Sequence, residues 1–241
     1  MKKMLYGLWL ITVLGTSPAE AALPGTTFYV VALTGAALHA QPSFTSKLVR
    51  RLPLAGVVQA QHTIASQEGQ RIGPGLVLPG EWVKVTTPAY TGYVFSADLT
   101  TKRPVLKKSP SGLAYIDLLG PPQSRPRAKQ PLAPKTGKRP VGATTTEVTE
   151  YAHGTYTRTA SDGCFTHDYV FRHLALNEVY HQLISAYAGY EGTHLRQPKL
   201  IGKKGTVYTF SCGFGDTDAA QQLQLTRHPD GTYSISSYDC T

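Results

Sequence analysis

The residue types best suited to covalent chemistry lie in the last hundred residues of the chain. Cys164 and His167 supply a thiol and an imidazole three positions apart, the two groups that cysteine hydrolases use as nucleophile and base. Cys164 follows a Ser-Asp-Gly turn at residues 161–163 and does not open a helix. A hydrolase built on Cys164 and His167 is therefore an alternative function and not the main one.

Metal and cofactor chemistry has less support in the same region. It contains six of the eight histidines, but their spacing is irregular, with His167 and His173 six positions apart. A Gly-Asp-Thr-Asp loop at residues 215–218 offers two carboxylates, too few for a calcium loop of the EF-hand type. The sequence contains no glycine-rich phosphate motif and no Ser/His/Asp signature. We therefore expect no metal and no cofactor.

Three cysteines predict one disulfide in an oxidising compartment. Cys212 shares a strand face with Tyr208 and Phe210 and should point into the core. Cys164 and Cys240 lie at alternate positions to the apolar residues of their strands, so their side chains should be on the opposite face. A middle strand would also separate Cys212 from Cys240 by about 9.5 Å, beyond the reach of a disulfide. The prediction is a Cys164–Cys240 bond, with Cys212 buried outside it.

The first 21 residues have the pattern of an export signal. Two lysines precede an apolar run at residues 4–14, and Ala-Glu-Ala at residues 19–21 forms a small-x-small cleavage site. The run is shorter than the roughly 20 residues that span a bilayer. We expect a periplasmic or secreted protein that starts near Ala22 and has no transmembrane segment.

The net charge of +9 arises from one segment. Residues 102–140 contain ten Lys or Arg and one acidic residue, and residues 121–140 contain six Pro, six Lys or Arg and no acid. Such a composition favours an extended spacer, so residues 102–145 are predicted to be a basic, Pro-rich linker. The spacer could also contact an anionic polymer. Binding to nucleic acid is not expected of an exported protein, and a Pro-x-x-Pro ligand is the remaining alternative.

Residues 28–101 have the pattern of five short strands. Apolar, partly β-branched runs alternate with turns that contain Gly or Pro, and no helical period is present. Five strands at this spacing predict a small barrel. The segments that we assign to strands are residues 28–33, 47–52, 56–60, 81–85 and 91–95.

The order of motifs in this stretch resembles bacterial SH3-like (SH3b) domains. The resemblance covers about a third of the chain and departs from the usual pattern at His39, at Ala40 and in an insertion at residues 64–79. The matching motifs are Ala-Leu-His-Ala-Gln-Pro-Ser at 37–43, Leu-Pro-Leu-Ala-Gly at 52–56, Gly-Glu-Trp-Val-Lys-Val at 80–85, Gly-Tyr-Val at 92–94 and Asp-Leu at 98–99.

The resemblance implies binding to peptidoglycan or to an envelope protein, and not catalysis. Such binding needs exposed aromatic rings, which offer apolar contact area at a low entropic cost. The candidate ligand-binding residues are Trp82, Tyr90, Tyr93 and Phe95. Trp82 and Phe95 could instead fill the barrel core, and Tyr90, in a turn next to Pro88, should be the most exposed of the four.

The pattern of residues 146–241 predicts a small α+β domain that belongs to no recognised family. Two strands precede a helix, whose apolar residues recur at helical spacing from Leu176 to Tyr187, and three strands follow. Asn177 is the expected N-cap, and Gly189 ends the pattern.

The predicted fold class is a small all-β SH3-like barrel (residues 22–101), a linker (102–145) and an α+β domain (146–241), with one helix on an antiparallel sheet. The predicted function is that of an exported, non-catalytic envelope protein that binds the cell wall or a protein. The alternative is a cell-wall hydrolase with its active site at Cys164 and His167.

Overall fold

The computed structural model describes residues 24–129, 144–212 and 221–240. The predicted export signal, residues 130–143 of the predicted linker and the loop at residues 215–218 lie outside the described residues. Within the described ranges, no helix is long and apolar enough to cross a membrane.

Residues 27–100 form nine short strands, more than the five that the sequence predicted. The strands are β1 (Thr27–Val30), β2 (Ala36–His39), β3 (Leu48–Leu52), β4 (Val57–Ile64), β5 (Gln70–Gly73), β6 (Leu76–Leu78), β7 (Trp82–Thr86), β8 (Thr91–Phe95) and β9 (Leu99–Thr100). Seven of them make a first antiparallel sheet in the order β3-β2-β8-β7-β4-β1-β9. The insertion that departs from the SH3-like pattern contributes the separate hairpin β5–β6.

Alternation of apolar and polar residues explains how the first sheet encloses its own core. In β4, Val58 and Ala60 are buried, whereas Val57 and Gln59 are exposed. Strands β2 and β8 lie so close together at Gly92 that a Cβ atom there would be 2.6 Å from the carbonyl oxygen of His39. Glycine is therefore required at this contact.

The remaining described residues form twelve strands and one helix. They are β10 (Val105–Lys108), β11 (Ala114–Asp117), β12 (Arg127–Lys129), β13 (Thr145–Tyr151), β14 (Gly154–Ser161), β15 (Cys164–Phe171), α1 (Leu176–Tyr187), β16 (Gly189–Glu191), β17 (His194–Arg196), β18 (Lys199–Lys204), β19 (Val207–Ser211), β20 (Gln221–Arg227) and β21 (Tyr233–Cys240). Eight strands make a second antiparallel sheet in the order β12-β13-β14-β15-β21-β20-β19-β18. Strands β10 to β12 lie within the segment that was predicted to be a linker.

The span of the helix confirms the prediction from its apolar spacing, but its expected N-cap is wrong. The helix begins at Leu176, so the N-cap is Ala175, whose backbone N–H donates to Glu178 Oε2 at 2.8 Å. Asn177 lies inside the first turn, and its amide donates to the carbonyl oxygens of Ala97 and Leu99. The side chain of Asn177, which the sequence suggested as the N-cap, therefore contacts the first part of the chain instead.

The predicted fold class is wrong, because the described chain is mostly β structure in two large antiparallel sheets. One contiguous hydrophobic cluster contains Trp82 in β7 of the first sheet, Ile116 in β11, Leu183 in α1 and Leu223 in the second sheet. A second cluster, which includes Val30 and Val85, lies within the first sheet. A small barrel followed by a separate α+β domain would not share a cluster such as the first one. The sequence pattern missed this arrangement because β10, β11 and the insertion hairpin add strands that local alternation did not reveal.

The predicted disulfide is present in the second sheet. Cys164 and Cys240 lie directly opposite each other on β15 and β21, and their sulfurs are bonded. Cys212 is buried, with 7% of its surface exposed, and is outside this bond. Both features follow the strand parity that the sequence predicted.

Candidate binding site

Trp82 and Phe95, two of the four predicted ligand-binding residues, lie in the core. They expose 2% and 3% of their surfaces, and their ring centroids are 5.3 Å apart. Phe44 covers both rings at 4.9 and 4.8 Å and is itself 38% exposed. Phe44 therefore presents the aromatic surface at this place. Its position directly after the Gln-Pro-Ser motif was the signal that could have identified it.

Tyr90 is the most exposed of the four rings. A turn positions it: the backbone N–H of Tyr90 donates to the Thr87 hydroxyl at 3.0 Å, and the N–H of Thr87 donates to the Tyr90 carbonyl at 2.8 Å. The ring is 39% exposed, and the guanidinium carbon of Arg50 lies 5.1 Å from its centroid. This geometry is that of a cation–π contact at the surface.

Tyr90 lines a groove of about 280 Å³ on the first sheet, which we call the Tyr90 groove. Its walls are mainly apolar, and Val57 contributes a side chain that is 53% exposed. The described residues that line the groove include no Asp and no Glu. They are Arg50, Leu52, Pro53, Gly56, Val57, Val58, Thr87, Pro88, Ala89 and Tyr90.

A second depression of about 370 Å³ continues the same surface. It shares Val57 with the Tyr90 groove and adds Tyr29, Arg103 and Leu106, which is 53% exposed. Its described lining also contains no carboxylate. Together the two depressions form an apolar surface with Arg50 and Arg103 as its charges, which suits a ligand that combines apolar and anionic groups.

Tyr93 does not belong to this surface. It is half-buried on β8, opposite Lys84 of β7 and His39 of β2, and it does not line the Tyr90 groove. Of the four predicted residues, the structure places only Tyr90 in a groove at the surface. Tyr90 and Tyr93, although both are predicted ligand-binding residues, therefore do not line one groove.

A cleft of about 580 Å³ lies beside the insertion hairpin and Asn177 of α1. Its lining includes the carboxylates of Glu68 and Glu81 and the hydroxyl of Ser96, but no histidine or cysteine among the described residues. None of the four predicted aromatic residues lines it. The sequence analysis did not identify this cleft, whose walls come from distant segments.

The structure does not bring Cys164 and His167 together as a nucleophile and a base. The Cys164 sulfur is bonded to Cys240 and has no thiolate to offer. Both ring nitrogens of His167 are engaged in hydrogen bonds. The Tyr156 hydroxyl lies 2.7 Å from Nδ1, and Asp239 Oδ1 lies 3.0 Å from Nε2. The odd spacing in β15 also places the two side chains on opposite faces of the strand.

In the part of the chain that the structure describes, no group of three or more His, Cys, Asp or Glu side chains could hold a metal ion. Comparison of the chain with protein-family models, with curated proteins and with solved structures finds no match. The resemblance to bacterial SH3-like domains therefore stays a prediction from the motifs of residues 37–99.

Proposed function

We propose that this protein is an exported, non-catalytic binding protein of the cell envelope that recognises the cell wall or a protein partner through the Tyr90 groove. The observation that carries the proposal is the exposed ring of Tyr90, positioned by a turn over Arg50 at the edge of an apolar groove. Tyrosine and arginine are the residue types that contribute most to binding energy at interfaces.

The electrostatics of the groove favour a ligand with anionic groups. Arg50 lines one depression and Arg103 the other, so an anionic group in either depression would find a cation and no carboxylate in the described lining. Apolar contact with Val57 and Tyr90 would add affinity that salt does not screen. Peptidoglycan, which combines sugars, short peptides and carboxylates, satisfies both requirements.

Two further observations support an exported binding role. A Cys164–Cys240 disulfide suits an oxidising compartment. The motifs of residues 37–99 resemble those of bacterial SH3-like domains, which accompany envelope proteins. The hydrolase alternative has no comparable support, since its cysteine is in the disulfide.

Retention on purified peptidoglycan sacculi tests the proposal. Tyr90→Ala should weaken retention of the full mature chain about tenfold, which corresponds to a lost contact of about 1.4 kcal/mol. Tyr190→Ala is the matched control, because Tyr190 is an equally exposed tyrosine (42%) on β16, away from the groove. Equal retention of Tyr90→Ala and the wild type would contradict the proposal.

A zymogram on the same sacculi tests the non-catalytic part. We expect no clearing, and clearing that disappears in Cys164→Ala would support the hydrolase alternative instead. If a protein partner is the ligand, Tyr90→Ala should weaken co-purification of one envelope protein while Tyr190→Ala does not.

The basic segment at residues 121–140 gives the proposed protein a second, electrostatic contact with anionic polymer. The electrostatic screening length falls to about 3 Å at 1 M salt. Adsorption through this segment should therefore disappear at that salt concentration. Salt-insensitive adsorption would assign the contact to the Tyr90 groove instead. The charge-neutral variant replaces by Gln the residues Arg125, Arg127, Lys129, Lys135, Lys138 and Arg139.

A further inference from the structure

The cleft of about 580 Å³ beside the insertion hairpin carries the charge opposite to that of the Tyr90 groove. Its lining contains Glu68 and Glu81 and, among the described residues, no Lys, Arg or His. The cleft and the Tyr90 groove share no lining residue, so each can select its ligand independently. By charge complementarity, the cleft favours a cationic ligand.

Acidic side chains are scarce in this part of the chain, which makes their concentration at the cleft informative. Residues 22–101 contain five Lys or Arg but only three acidic residues, two of which line the cleft. The third is Asp98, whose Oδ1 lies 3.3 Å from His181 Nε2. Within the described residues, neither Glu68 nor Glu81 forms an ion pair. Both carboxylates are therefore available to a cation from outside the chain.

The neighbouring polar groups leave mainly acceptors for a ligand. The backbone N–H of Glu81 donates to the Ser96 hydroxyl at 2.8 Å, and the N–H of Ser96 donates to the Glu81 carbonyl at 2.8 Å. The amide nitrogen of Asn177 already donates to two backbone carbonyls, so its oxygen is the group left for a ligand. An ammonium group, which only donates hydrogen bonds, matches such a lining.

The remaining walls of the cleft are apolar and fixed by packing. Phe28 and Val83, two buried residues of the first sheet, line it together with the half-exposed Val77 of β6. The hairpin that carries Val77 is anchored, because its neighbours Leu76 and Leu78 are buried in the shared core. The cleft is therefore formed before a ligand arrives, as is usual for binding sites.

From this arrangement we infer that the cleft binds a peptide through a lysine-type side chain. Such a side chain combines an aliphatic stem with an ammonium group. The stem suits the apolar walls, and the ammonium suits Glu68 and Glu81. The cleft lies within the roughly 300–1,000 Å³ of small-molecule sites, which leaves room for the peptide backbone beside the side chain. The insertion at residues 64–79 acquires a role, because it supplies Glu68 and Val77.

Nuclear magnetic resonance titration of the ¹⁵N-labelled full mature chain tests the inference. The probes are acetyl-Ala-Lys-Ala-amide and the same peptide acetylated at the lysine Nζ, which removes the charge. Each is added to about 20 mM, because one side chain in a cleft suits millimolar affinity. We expect the lysine peptide to give saturable shifts of the amides of Gly69, Gly80 and Glu81, which line the cleft. The acetylated peptide should bind at least about tenfold more weakly.

Substitutions of the carboxylates give a second test. Glu81→Gln should lower affinity for the lysine peptide about tenfold, because it removes a half-buried charged acceptor. Glu68→Gln, at an exposed position, should lower it about threefold. Glu191→Gln is the matched control, since Glu191 pairs with Arg196 at the surface and does not line the cleft. Tyr90→Ala should leave this affinity unchanged, so failure here is distinguishable from failure of the proposed function.

Four outcomes would overturn the site. They are the absence of saturable shifts with the lysine peptide, equal affinity for the two peptides, unchanged affinity in Glu81→Gln, and an equal loss in Glu191→Gln. Calcium chloride is the further probe, because two carboxylates could also attract a metal ion. Shifts of the same amides with calcium and not with the lysine peptide would reassign the cleft to a metal ion. If circular dichroism shows that Glu81→Gln is unfolded, Glu68→Gln and the acetylated peptide decide the question.

Discussion

The ammonium nitrogen of Lys102 lies 3.1 Å from both carboxylate oxygens of Glu178, and this contact joins the end of the first sheet to the first turn of α1. Glu178 is only 5% exposed. Its carboxylate also accepts hydrogen bonds from the Thr100 hydroxyl and from the backbone N–H of Ala175. A buried carboxylate with these donors connects the two parts of the chain.

Glu178→Ala should therefore lower the free energy of unfolding by about 2–4 kcal/mol. The estimate lies below that for a fully buried pair because the Lys102 side chain is 28% exposed. Glu191→Ala is the matched control, since Glu191 pairs with Arg196 at the surface and should change stability by less than about 1 kcal/mol. Urea denaturation measures both, and equal effects would contradict the connecting role of Glu178.

Trp82→Ala should be strongly destabilising, by about 3–5 kcal/mol, because the indole is buried in the shared core. Trp82→Phe should cost much less, since Nε1 of Trp82 has no hydrogen-bond partner among the described residues and no bond is lost. Trp82 is the only tryptophan from residue 22 onward, so its fluorescence reports its environment directly. Emission typical of an indole in water would contradict its burial.

Removal of the disulfide should lower stability by about 4 kcal/mol in the chain-entropy model, because the bond joins residues 76 positions apart. The double variant Cys164→Ala, Cys240→Ala and the reduced wild type should have similar denaturation midpoints. A reductant should not destabilise the double variant further. Non-reducing peptide mapping identifies the bond, and a peptide that links Cys212 to either partner would refute the assignment.

The protein should lose stability above about pH 10 because of three buried tyrosines. Burial raises the pKa values of Tyr169, Tyr180 and Tyr187 above the usual value of about 10, and that of Tyr180 reaches about 12. Above pH 10 the unfolded chain therefore binds fewer protons than the folded chain, so the free energy of unfolding falls as pH rises. Below pH 10 this contribution is fully present.

Phenolate absorbance and circular dichroism, followed together against pH, test this expectation. The three buried tyrosines should ionise only as the secondary structure is lost, whereas exposed tyrosines such as Tyr190 should ionise near pH 10. Tyr180→Phe should reduce the alkaline loss of stability, and Tyr190→Phe should not. Ionisation of every tyrosine near pH 10 in a protein that stays folded would contradict the prediction.

Features set by neighbouring residues could be predicted from the sequence. The apolar period from Leu176 to Tyr187 defined α1, because a helix buries residues at a fixed spacing. The parity of Cys164, Cys212 and Cys240 predicted the disulfide, because alternate residues of a strand point to opposite faces. Both inferences needed only local geometry.

Features set by distant pairing could not be predicted. Strand β18 contains three lysines and a glycine, so its sequence gives no strand signal, yet pairing with β19 extends the second sheet. Strands β10 and β11 lie in a basic segment whose composition indicated a spacer. The cleft beside the insertion hairpin draws Glu68, Ser96 and Asn177 from three segments, and no motif links such positions.

The position of β21 within the second sheet has a consequence for how the chain folds during synthesis. Strands β12 to β15 are neighbours in sequence and can pair as they appear, and so can β18 to β20. Only β21 joins these two halves, because it lies between β15 and β20. The two halves of the sheet therefore cannot join until residues 233–240 have been synthesised, and until then β15 and β20 each lack one of their two neighbouring strands.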